Sequence, residues 1–337
     1  MIPKVAKVAV LRKFFQPLEI KEIQIPKLNE YQVLVRIIYA SVCGSQLFEW
    51  RGERDNSKWL PHVLGHEAYA EIVELGKKVS SFARGDKVIV SWLSNGLIGS
   101  VPPKYLGVDG EIINAGKNAV FATYAVVSQD KIFRAPTGIN PKVAPLWGCA
   151  IPTGAGMVKN LVEYNSSWKV IVRGFGGVGM AAAFCLKKLG FNNVVIDDNS
   201  TERIQIAEKS GFSIRNNQIN IENYDVVIDT TGSSSALEES FQLLREKGKM
   251  IFASHPPKNS QIRIDPFELI KGKKIEGTWG GEVRNQEDLD SLYELIGLSI
   301  NESDFIGKEF PFTSINDAIQ YALESRQGRA LISVSIE

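Results

Sequence analysis

The sequence has few cysteines and almost no net charge. It contains only three cysteines among 337 residues, Cys43, Cys149 and Cys185, so a disulfide framework is not expected and the thiols remain available for metal binding or catalysis. Its 39 basic side chains are balanced by 38 acidic ones. Such a balance gives no electrostatic basis for binding nucleic acid or an anionic membrane surface, and we expect neither partner.

The chain also has no long hydrophobic run. No stretch approaches the roughly 18 uninterrupted apolar residues of a membrane span. Lys4, Lys7 and Arg12 interrupt any signal-peptide core near the start. We therefore expect a cytoplasmic protein. The length, with 44% apolar and 23% charged residues, is typical of a globular chain with two domains.

Two patterns of hydrophobicity follow one another along the chain. Up to about residue 145, short alternating strands separated by glycine turns predict a β-rich domain. From about residue 150 to residue 278, strands alternate with helices, for example a helix over 236–246 before a strand over 249–253. This alternation predicts a doubly wound parallel sheet. A last helix over 315–326 and a strand over 330–336 are expected to rejoin the first domain.

A glycine-rich turn lies between a predicted strand at 169–173 and a helix of small residues. Glycine permits a tight turn, close approach of the main chain to a pyrophosphate, and close packing of helix on strand. The helix N-terminus then faces the phosphate charge. The sequence therefore predicts a dinucleotide site. Its predicted cofactor contacts in this turn are Gly174, Gly176, Gly177, Val178 and Gly179.

An acidic residue at the end of the next predicted strand indicates which dinucleotide binds. Asp198 lies 24 residues after Gly174. A carboxylate there accepts hydrogen bonds from ribose hydroxyls and repels a 2′-phosphate, which favours NAD over NADP. Asp197 is the alternative acid. Arg203, at the start of the following helix, could reach the adenosine ribose, although arginines at such positions are commonly only solvated.

Three further residues suit a catalytic zinc ion. Cys43 and His66 lie in glycine-containing turns of the first part, and Cys149 lies where the two patterns join. Thiolates and imidazole are ligands that zinc prefers, and a catalytic zinc needs only three of them from the protein. Each residue alone also fits an ordinary buried side chain, so the residue types leave both interpretations open.

Taken together, these motifs resemble the zinc-dependent alcohol dehydrogenases of the medium-chain dehydrogenase/reductase superfamily. The resemblance extends from about residue 5 to residue 335. It is carried by Cys43-Gly44-Ser45, Gly65-His66-Glu67, Gly85-Asp86, the run from Gly148 to Gly154, and the turn from Gly174 to Gly179. It implies an α/β chain with a GroES-like β-barrel catalytic domain, 1–148 with 285–337, and a Rossmann doubly wound parallel sheet cofactor domain, 149–284.

The resemblance also implies roles for single residues. Cys43, His66 and Cys149 become the zinc ligands, Ser45 the hydroxyl that takes the substrate proton, and Glu67 the acid beside the metal. Further residues are expected to contact the nicotinamide or the substrate. They are Thr153 and Trp279 for the nicotinamide, and Trp92 and Phe121 for the substrate pocket. For Trp92 and Phe121, an ordinary place in the aromatic core is an equally open alternative.

Three departures from the family pattern change these expectations. The stretch from Trp92 to Gly107 lacks the four cysteines that hold a structural zinc in many relatives, so one catalytic zinc and no structural zinc is expected. Gln46 stands where the family usually has an acid that orients the zinc-bound histidine. Phe48 stands where some relatives have a histidine that ends the proton relay. Proton release would then use the cofactor ribose and water.

The activity implied by the resemblance is reversible, NAD-dependent oxidation of an alcohol or polyol to the matching aldehyde or ketone. The expected partners are that small-molecule substrate and further copies of the chain, as a homodimer or homotetramer. Two alternatives remain open from sequence. One is a zinc-free quinone or enoyl reductase of the same superfamily, and the other is a catalytically idle nucleotide-binding protein.

Overall fold

A computed structural model describes residues 3–54, 57–215, 223–254, 256–257, 259–325 and 327–335. The chain divides into two compact units. The first consists of Met1–Cys149, Arg284–Asp290 and Asn301–Glu337, and the second of Ala150–Val283 and Ser291–Ile300. No helix in the described ranges has both the length and the apolar character needed to cross a membrane.

Both units contain β-strands among the described residues. They are β1 Val5–Leu11, β2 Glu19–Gln24, β3 Gln32–Ser41, β4 His62–Val63, β5 Ala68–Leu75, β6 Lys87–Val90, β7 Lys104–Gly107, β8 Ile112–Ala115, β9 Tyr124–Ser128, β10 Ile132–Arg134, β11 Lys169–Arg173, β12 Asn193–Asp197, β13 Ser213–Ile214, β14 Tyr224–Asp229, β15 Leu244–Phe252, β16 Lys274–Gly277, β17 Ile306–Pro311 and β18 Arg329–Ser333.

The helices fall mainly in the second half of the chain. They are α1 Gly44–Trp50, α2 Ala150–Leu161, α3 Gly177–Lys188, α4 Thr201–Lys209, α5 Ser234–Gln242, α6 Pro266–Ile270, α7 Gln286–Ile296, α8 Glu302–Phe305 and α9 Ile315–Glu324. The predicted last helix and strand correspond to α9 and β18, and their predicted ends at residues 326 and 336 lie outside the described residues.

The first unit is built from β-strands. A closed barrel has the strand order β1-β2-β7-β8-β4, and a second sheet has the order β10-β6-β5-β3-β18-β17, with β9 also paired to β3. Side chains of these strands form one apolar core. Strand β18 joins β3 directly, with Leu331 opposite Ser41. The end of the chain is thereby brought back to the first domain, as the sequence predicts.

The second unit is a six-stranded sheet of parallel pairs with the order β13-β12-β11-β14-β15-β16. This is the order of a Rossmann dinucleotide-binding sheet. The central strand β11 reads as a run of buried β-branched residues, as expected for a parallel strand covered on both faces. The predicted α/β class with a doubly wound parallel sheet is confirmed.

One predicted boundary is wrong. The helix expected over 236–246 ends at Gln242, and β15 begins at Leu244 instead of residue 249. Leu244 pairs with Tyr224, after which the register of β14 and β15 shifts. Lys247 at this irregularity has a φ of 63°. Tertiary pairing therefore overrides the helical preference of the charged residues in this stretch.

Candidate metal centre and cofactor site

Three side chains of the first unit converge on one point. The ligand atoms of Cys43, His66 and Cys149 all lie within 4.8 Å of one another, and the two sulfur atoms are 4.0 Å apart. At a Zn–S distance of about 2.3 Å, tetrahedral geometry places two sulfur ligands roughly 3.8 Å apart. This is the one such group of three or more metal-ligating side chains found among the described residues.

Neighbouring strands bring these residues together. Strands β3 and β5 are antiparallel, with Ala40 opposite Ala68, so Cys43 just after β3 meets His66 just before β5. Strand β6 pairs with β5 and ends beside the short 3₁₀ turn Ala144–Gly148. Ser91 Oγ, directly after β6, donates a hydrogen bond of 2.7 Å to the Gly148 carbonyl oxygen, which fixes the chain entering Cys149.

Gly148 allows this close approach. A Cβ atom at Gly148 would lie 2.3 Å from the Val90 carbonyl oxygen and 3.1 Å from Glu67 Cβ. Neither neighbour can move far, because Val90 is part of β6 and Glu67 is fully buried. A residue larger than glycine before Cys149 would therefore push that thiol away from the other two ligands.

The histidine of this group has one engaged nitrogen and one buried nitrogen without a partner. Gln46 Nε2 lies 2.5 Å and Ser45 Oγ 3.3 Å from His66 Nδ1. His66 Nε2 is buried and makes no hydrogen bond. Buried polar atoms are almost always satisfied, so an orphaned ring nitrogen beside two thiols fits a metal ligand. The residues present therefore fit a zinc ion.

The electrostatics of the group favour a thiolate. A hydrogen bond from the Cys149 thiol, assisted by the positive charge of Arg329, lowers the pKa of Cys43 well below that of an ordinary thiol, against the effect of burial. The same hydrogen bond and burial raise the pKa of Cys149. The lowered pKa favours the thiolate form of Cys43, and the thiolate is the form that binds metals.

Glu67 lies in the interior next to His66. Its carboxylate is fully buried, and Oε1 accepts a short hydrogen bond from Ser41 Oγ while Oε2 has no hydrogen-bond partner. Burial raises the pKa of Glu67, and the charge of Arg329 opposes that rise. Arg329, at the start of β18, donates a hydrogen bond of 3.1 Å to the Val42 carbonyl oxygen.

Sequence reasoning missed Arg329 and Ser41. Neither residue stands in a motif, and Arg329 reaches the centre only because β18 pairs with β3. An arginine at the start of a short apolar strand is an ordinary feature of a sequence. The residues of β18 give no signal that its first side chain lies near a buried carboxylate and two thiols.

The two predicted substrate-pocket aromatics occupy different environments. Phe121 is 1% exposed and packs in the apolar core of the first unit, with its ring beneath Gly65. Trp92 is partly exposed, and its carbonyl oxygen accepts a hydrogen bond of 2.9 Å from Lys131 Nζ. The roles of Phe121 and Trp92 in a substrate pocket stay predictions.

In the second unit, the glycine turn has the backbone that dinucleotide sites require. Gly174 has a φ of 83°, and a Cβ at Gly179 would lie 1.8 Å from the Gly174 carbonyl oxygen. Gly176 is the N-cap of α3, whose first residues are Gly177, Val178 and Gly179. Only glycine fits at Gly179, and its lack of a side chain lets α3 pack closely on β11.

The last residue of β12, Asp197, and the acid that follows it, Asp198, have different partners. Asp198 Oδ2 accepts a hydrogen bond of 2.6 Å from the Phe175 N–H of the glycine turn and lies 3.4 Å from Arg203 Nη1. Asp197 instead forms ion pairs with Arg173 and Arg215. The structure thus brings Asp198 and Arg203 to the glycine turn, whereas Asp197 belongs to a separate network.

Thr153 and Trp279 also belong to the second unit. Thr153 is 5% exposed within α2, and Trp279 is 66% exposed after β16. The segment after Trp279 packs on α2, because a Cβ at Gly281 would lie 2.7 Å from the Thr153 carbonyl oxygen. Asn160 Nδ2 donates a hydrogen bond of 2.9 Å to the Gly281 carbonyl oxygen.

Two family models match the chain. The alcohol dehydrogenase GroES-like domain matches residues 29–137, and the zinc-binding dehydrogenase domain matches residues 177–297. A β-barrel unit carrying two thiols and an imidazole, together with a Rossmann unit, defines the class of zinc-binding oxidoreductases. The chain belongs to the zinc-type medium-chain alcohol dehydrogenase family. The predicted GroES-like and Rossmann architecture is confirmed.

Individual relatives agree with the assignment of the chain to this family. Alcohol dehydrogenase-like 2 of Arabidopsis thaliana is 25% identical and covers 97% of this chain and 95% of its own length. An alcohol dehydrogenase of Geobacillus stearothermophilus is 29% identical over 84% of this chain and 87% of its own. In fold, the chain is similar to an alcohol dehydrogenase zinc-binding domain protein of Burkholderia ambifaria, with a TM-score of 0.90, 21% identity and coverage of 98% and 99%.

Proposed function

We propose that the protein is an NAD-dependent dehydrogenase that interconverts an alcohol or polyol and its aldehyde or ketone, with one zinc ion held by Cys43, His66 and Cys149. The observation that carries this proposal is the convergence of those three ligand atoms within 4.8 Å around a buried His66 Nε2 that has no hydrogen-bond partner. A zinc ion bound there supplies Lewis-acid stabilisation of the alcohol oxygen as it loses its proton.

The protein groups around the ligands hold charge and move the proton. Arg329 balances the negative charge of Cys43 and Glu67 in the interior. Ser45, partly exposed at the second position of α1, takes the alcohol proton in this proposal. Phe48 has no group that can pass a proton onward, so the ribose hydroxyls of a bound cofactor, together with water, would have to carry the proton away. Glu67 lies beside the three proposed zinc ligands and accepts a hydrogen bond from Ser41.

NAD is the proposed cofactor because of Asp198. Its carboxylate lies at the carboxyl end of β12 and touches the glycine turn, where it would accept ribose hydroxyls and repel a 2′-phosphate. The remaining cofactor contacts are proposed from the second unit. They are Gly174, Gly176, Gly177, Val178, Gly179, Arg203, Thr153 and Trp279. The cofactor supplies the hydride chemistry, and these residues supply binding and orientation.

The names of the relatives support the proposed substrate class. Those named alcohol dehydrogenase, and one named L-threonine 3-dehydrogenase from Paraburkholderia phytofirmans, support a hydroxyl-bearing small molecule. A structural zinc is not proposed, because the stretch from Trp92 to Gly107 contains no cysteine. We propose a homodimer or homotetramer, in line with the family.

Metal analysis combined with a turnover screen tests the proposal. The purified chain is expected to contain about one zinc per chain and to reduce NAD with a member of a panel of alcohols, polyols and sugar phosphates, followed by NADH absorbance. Cys149→Ser should abolish turnover while leaving NAD binding intact. Cys185→Ala is the matched control, because Cys185 is buried on α3 and lies outside the ligand group.

The outcomes separate the alternatives. Turnover without zinc, unaffected by Cys149→Ser, would favour a zinc-free quinone or enoyl reductase. NAD binding with no turnover across the panel would favour an idle nucleotide-binding protein.

A further inference from the structure

Gln46 is a buried amide that two groups of the metal centre share. Its side chain is 1% exposed. Gln46 Oε1 accepts a hydrogen bond of 3.1 Å from the Cys43 N–H, and Gln46 Nε2 lies 2.5 Å from His66 Nδ1. The first contact is half of a capping box at the start of α1, where Gln46 is the third helical residue. The second contact orients the imidazole of the proposed metal ligand.

One amide cannot serve both groups once a metal is bound. The amide has a single acceptor oxygen, and its nitrogen only donates. In the observed arrangement the oxygen is used by Cys43, so His66 Nδ1 accepts from the amide nitrogen and the ring proton lies on Nε2. That nitrogen faces the thiols and has no hydrogen-bond partner. It is the atom that would have to bind the metal.

Ligation through His66 Nε2 requires the ring proton on Nδ1, where it must be donated to an acceptor. Nδ1–H would then face the amide nitrogen, which is another donor. The amide can turn over and offer its oxygen to His66, but the Cys43 N–H at the helix N-terminus then loses its acceptor. Ser45 Oγ, at 3.3 Å, is the other group near Nδ1 and lies farther away than the amide.

We propose that Gln46 is a positioning residue that weakens metal binding in this chain, because the helix cap and the metal-binding form of His66 compete for one amide oxygen. The proposal rests on the zinc site of the proposed function. A carboxylate of the same shape would accept from both groups at once. The Gln46→Glu variant is therefore expected to bind zinc more tightly than the unaltered protein.

The zinc affinity of the full-length chain tests this proposal. Competition with a chromophoric chelator at fixed pH gives the dissociation constant for zinc alone. Because groups that hold a ligating histidine typically change metal affinity by about 10- to 100-fold, Gln46→Glu should lower the dissociation constant by that factor. Gly44→Glu is the matched control for added charge, since a Cβ at Gly44 meets no atom within 4 Å. It should change the affinity far less.

A measurement on the unaltered protein does not depend on the folding of any variant. On zinc loading, hydrogen exchange of the Cys43 backbone amide should accelerate as it loses its acceptor. With three histidines in the sequence, ¹⁵N imidazole shifts of His66 can be assigned, and they should show Nδ1 protonated in the zinc form. In Gln46→Glu the Cys43 amide should stay protected on loading.

Three results are distinguishable. Tighter zinc binding by Gln46→Glu but not by Gly44→Glu, with deprotection of the Cys43 amide in the unaltered protein, supports the proposal. Equal zinc affinity of Gln46→Glu and the unaltered protein, or a Cys43 amide that stays protected on zinc loading, overturns it and leaves the proposed dehydrogenase intact. Failure of every form to bind zinc overturns the proposed metal site itself, and this inference with it.

Discussion

The carboxylate of Asp198 accepts a hydrogen bond from the main-chain N–H of Phe175, with 2.6 Å between Asp198 Oδ2 and the nitrogen. The acid directly after β12 is thus hydrogen-bonded to the glycine turn that follows β11. Only 2% of the Asp198 side chain is exposed. The glycine turn fixes the position of this carboxylate, and the carboxylate is the acceptor for the Phe175 N–H of the turn.

Substitution of Asp198 is expected to change cofactor preference. Asp198→Asn should lower kcat/KM with NAD by about ten- to hundredfold, since hydrogen bonds to a charged group contribute about 1.5–3 kcal/mol. The ratio of NADP to NAD activity should rise, because the repulsion of a 2′-phosphate is lost. Steady-state kinetics with both cofactors measure the ratio. Asp197→Asn is the control, as Asp197 pairs with Arg173 and Arg215 and should leave the ratio unchanged.

A side chain at Gly179 is expected to destabilise the second unit. In Gly179→Ala the new Cβ would lie 1.8 Å from the Gly174 carbonyl oxygen, so backbone must move. We expect a loss of about 3 kcal/mol in the free energy of unfolding, at the upper end of overpacking effects, together with loss of NAD binding. Urea unfolding and NAD titration measure the two effects. Gly44→Ala, with open space around it, should leave both nearly unchanged; unaltered NAD binding in Gly179→Ala would contradict the prediction.

Zinc is expected to stabilise the first unit specifically. Binding to the folded state alone raises apparent stability with ligand concentration. Thermal unfolding of metal-free protein should therefore shift to higher temperature on addition of zinc, and the shift should vanish in Cys43→Ser. Cys185→Ala should retain it. Magnesium prefers oxygen ligands and should therefore give no comparable shift in the unaltered protein or in Cys185→Ala.

The barrel should lose stability in acid through Glu111. Hydrogen bonds from Arg12 and Lys21 lower the pKa of Glu111 from 4.5 to about 2. Because this carboxyl is more acidic in the folded state, its contribution is complete above pH 4.5 and is lost as pH falls towards 2. Glu111→Gln should therefore flatten the decrease of unfolding free energy between those values. Denaturant unfolding at several pH values tests this, with the exposed Glu294→Gln as a control that should keep the original slope.

Local pattern was enough to predict the two-part architecture and the glycine turn. The burial of β11 and the spacing of Gly174, Gly176 and Gly179 depend on neighbours within one strand, turn and helix. The choice of Asp198 over Asp197 followed from its place beyond the strand end. The structure adds a physical reason, since Asp197 is held by two arginines while Asp198 reaches the turn.

The surroundings of the candidate ligands could not be predicted in the same way. Arg329 acts on Cys43 and Glu67 through the pairing of β18 with β3, which no local pattern encodes. The sequence showed Gln46 as a departure from an acid. The sequence did not show that this amide also caps α1 at Cys43, so that two groups compete for its oxygen. That required the positions of the Gln46 and His66 side chains and of the Cys43 backbone N–H. The early end of α5 likewise depended on the pairing of Leu244 with Tyr224.

The hydrogen bond from Arg329 to Val42 joins residues 287 positions apart in the chain. A ribosome must therefore translate as far as β18 before this guanidinium can neutralise the sulfur and carboxylate charges beside it. Nascent chains that have emerged only as far as the Rossmann sheet would display Cys43, His66 and Cys149 without their counter-ion. Until β18 has been added, the Cys43 thiol is therefore expected to lose its proton less readily.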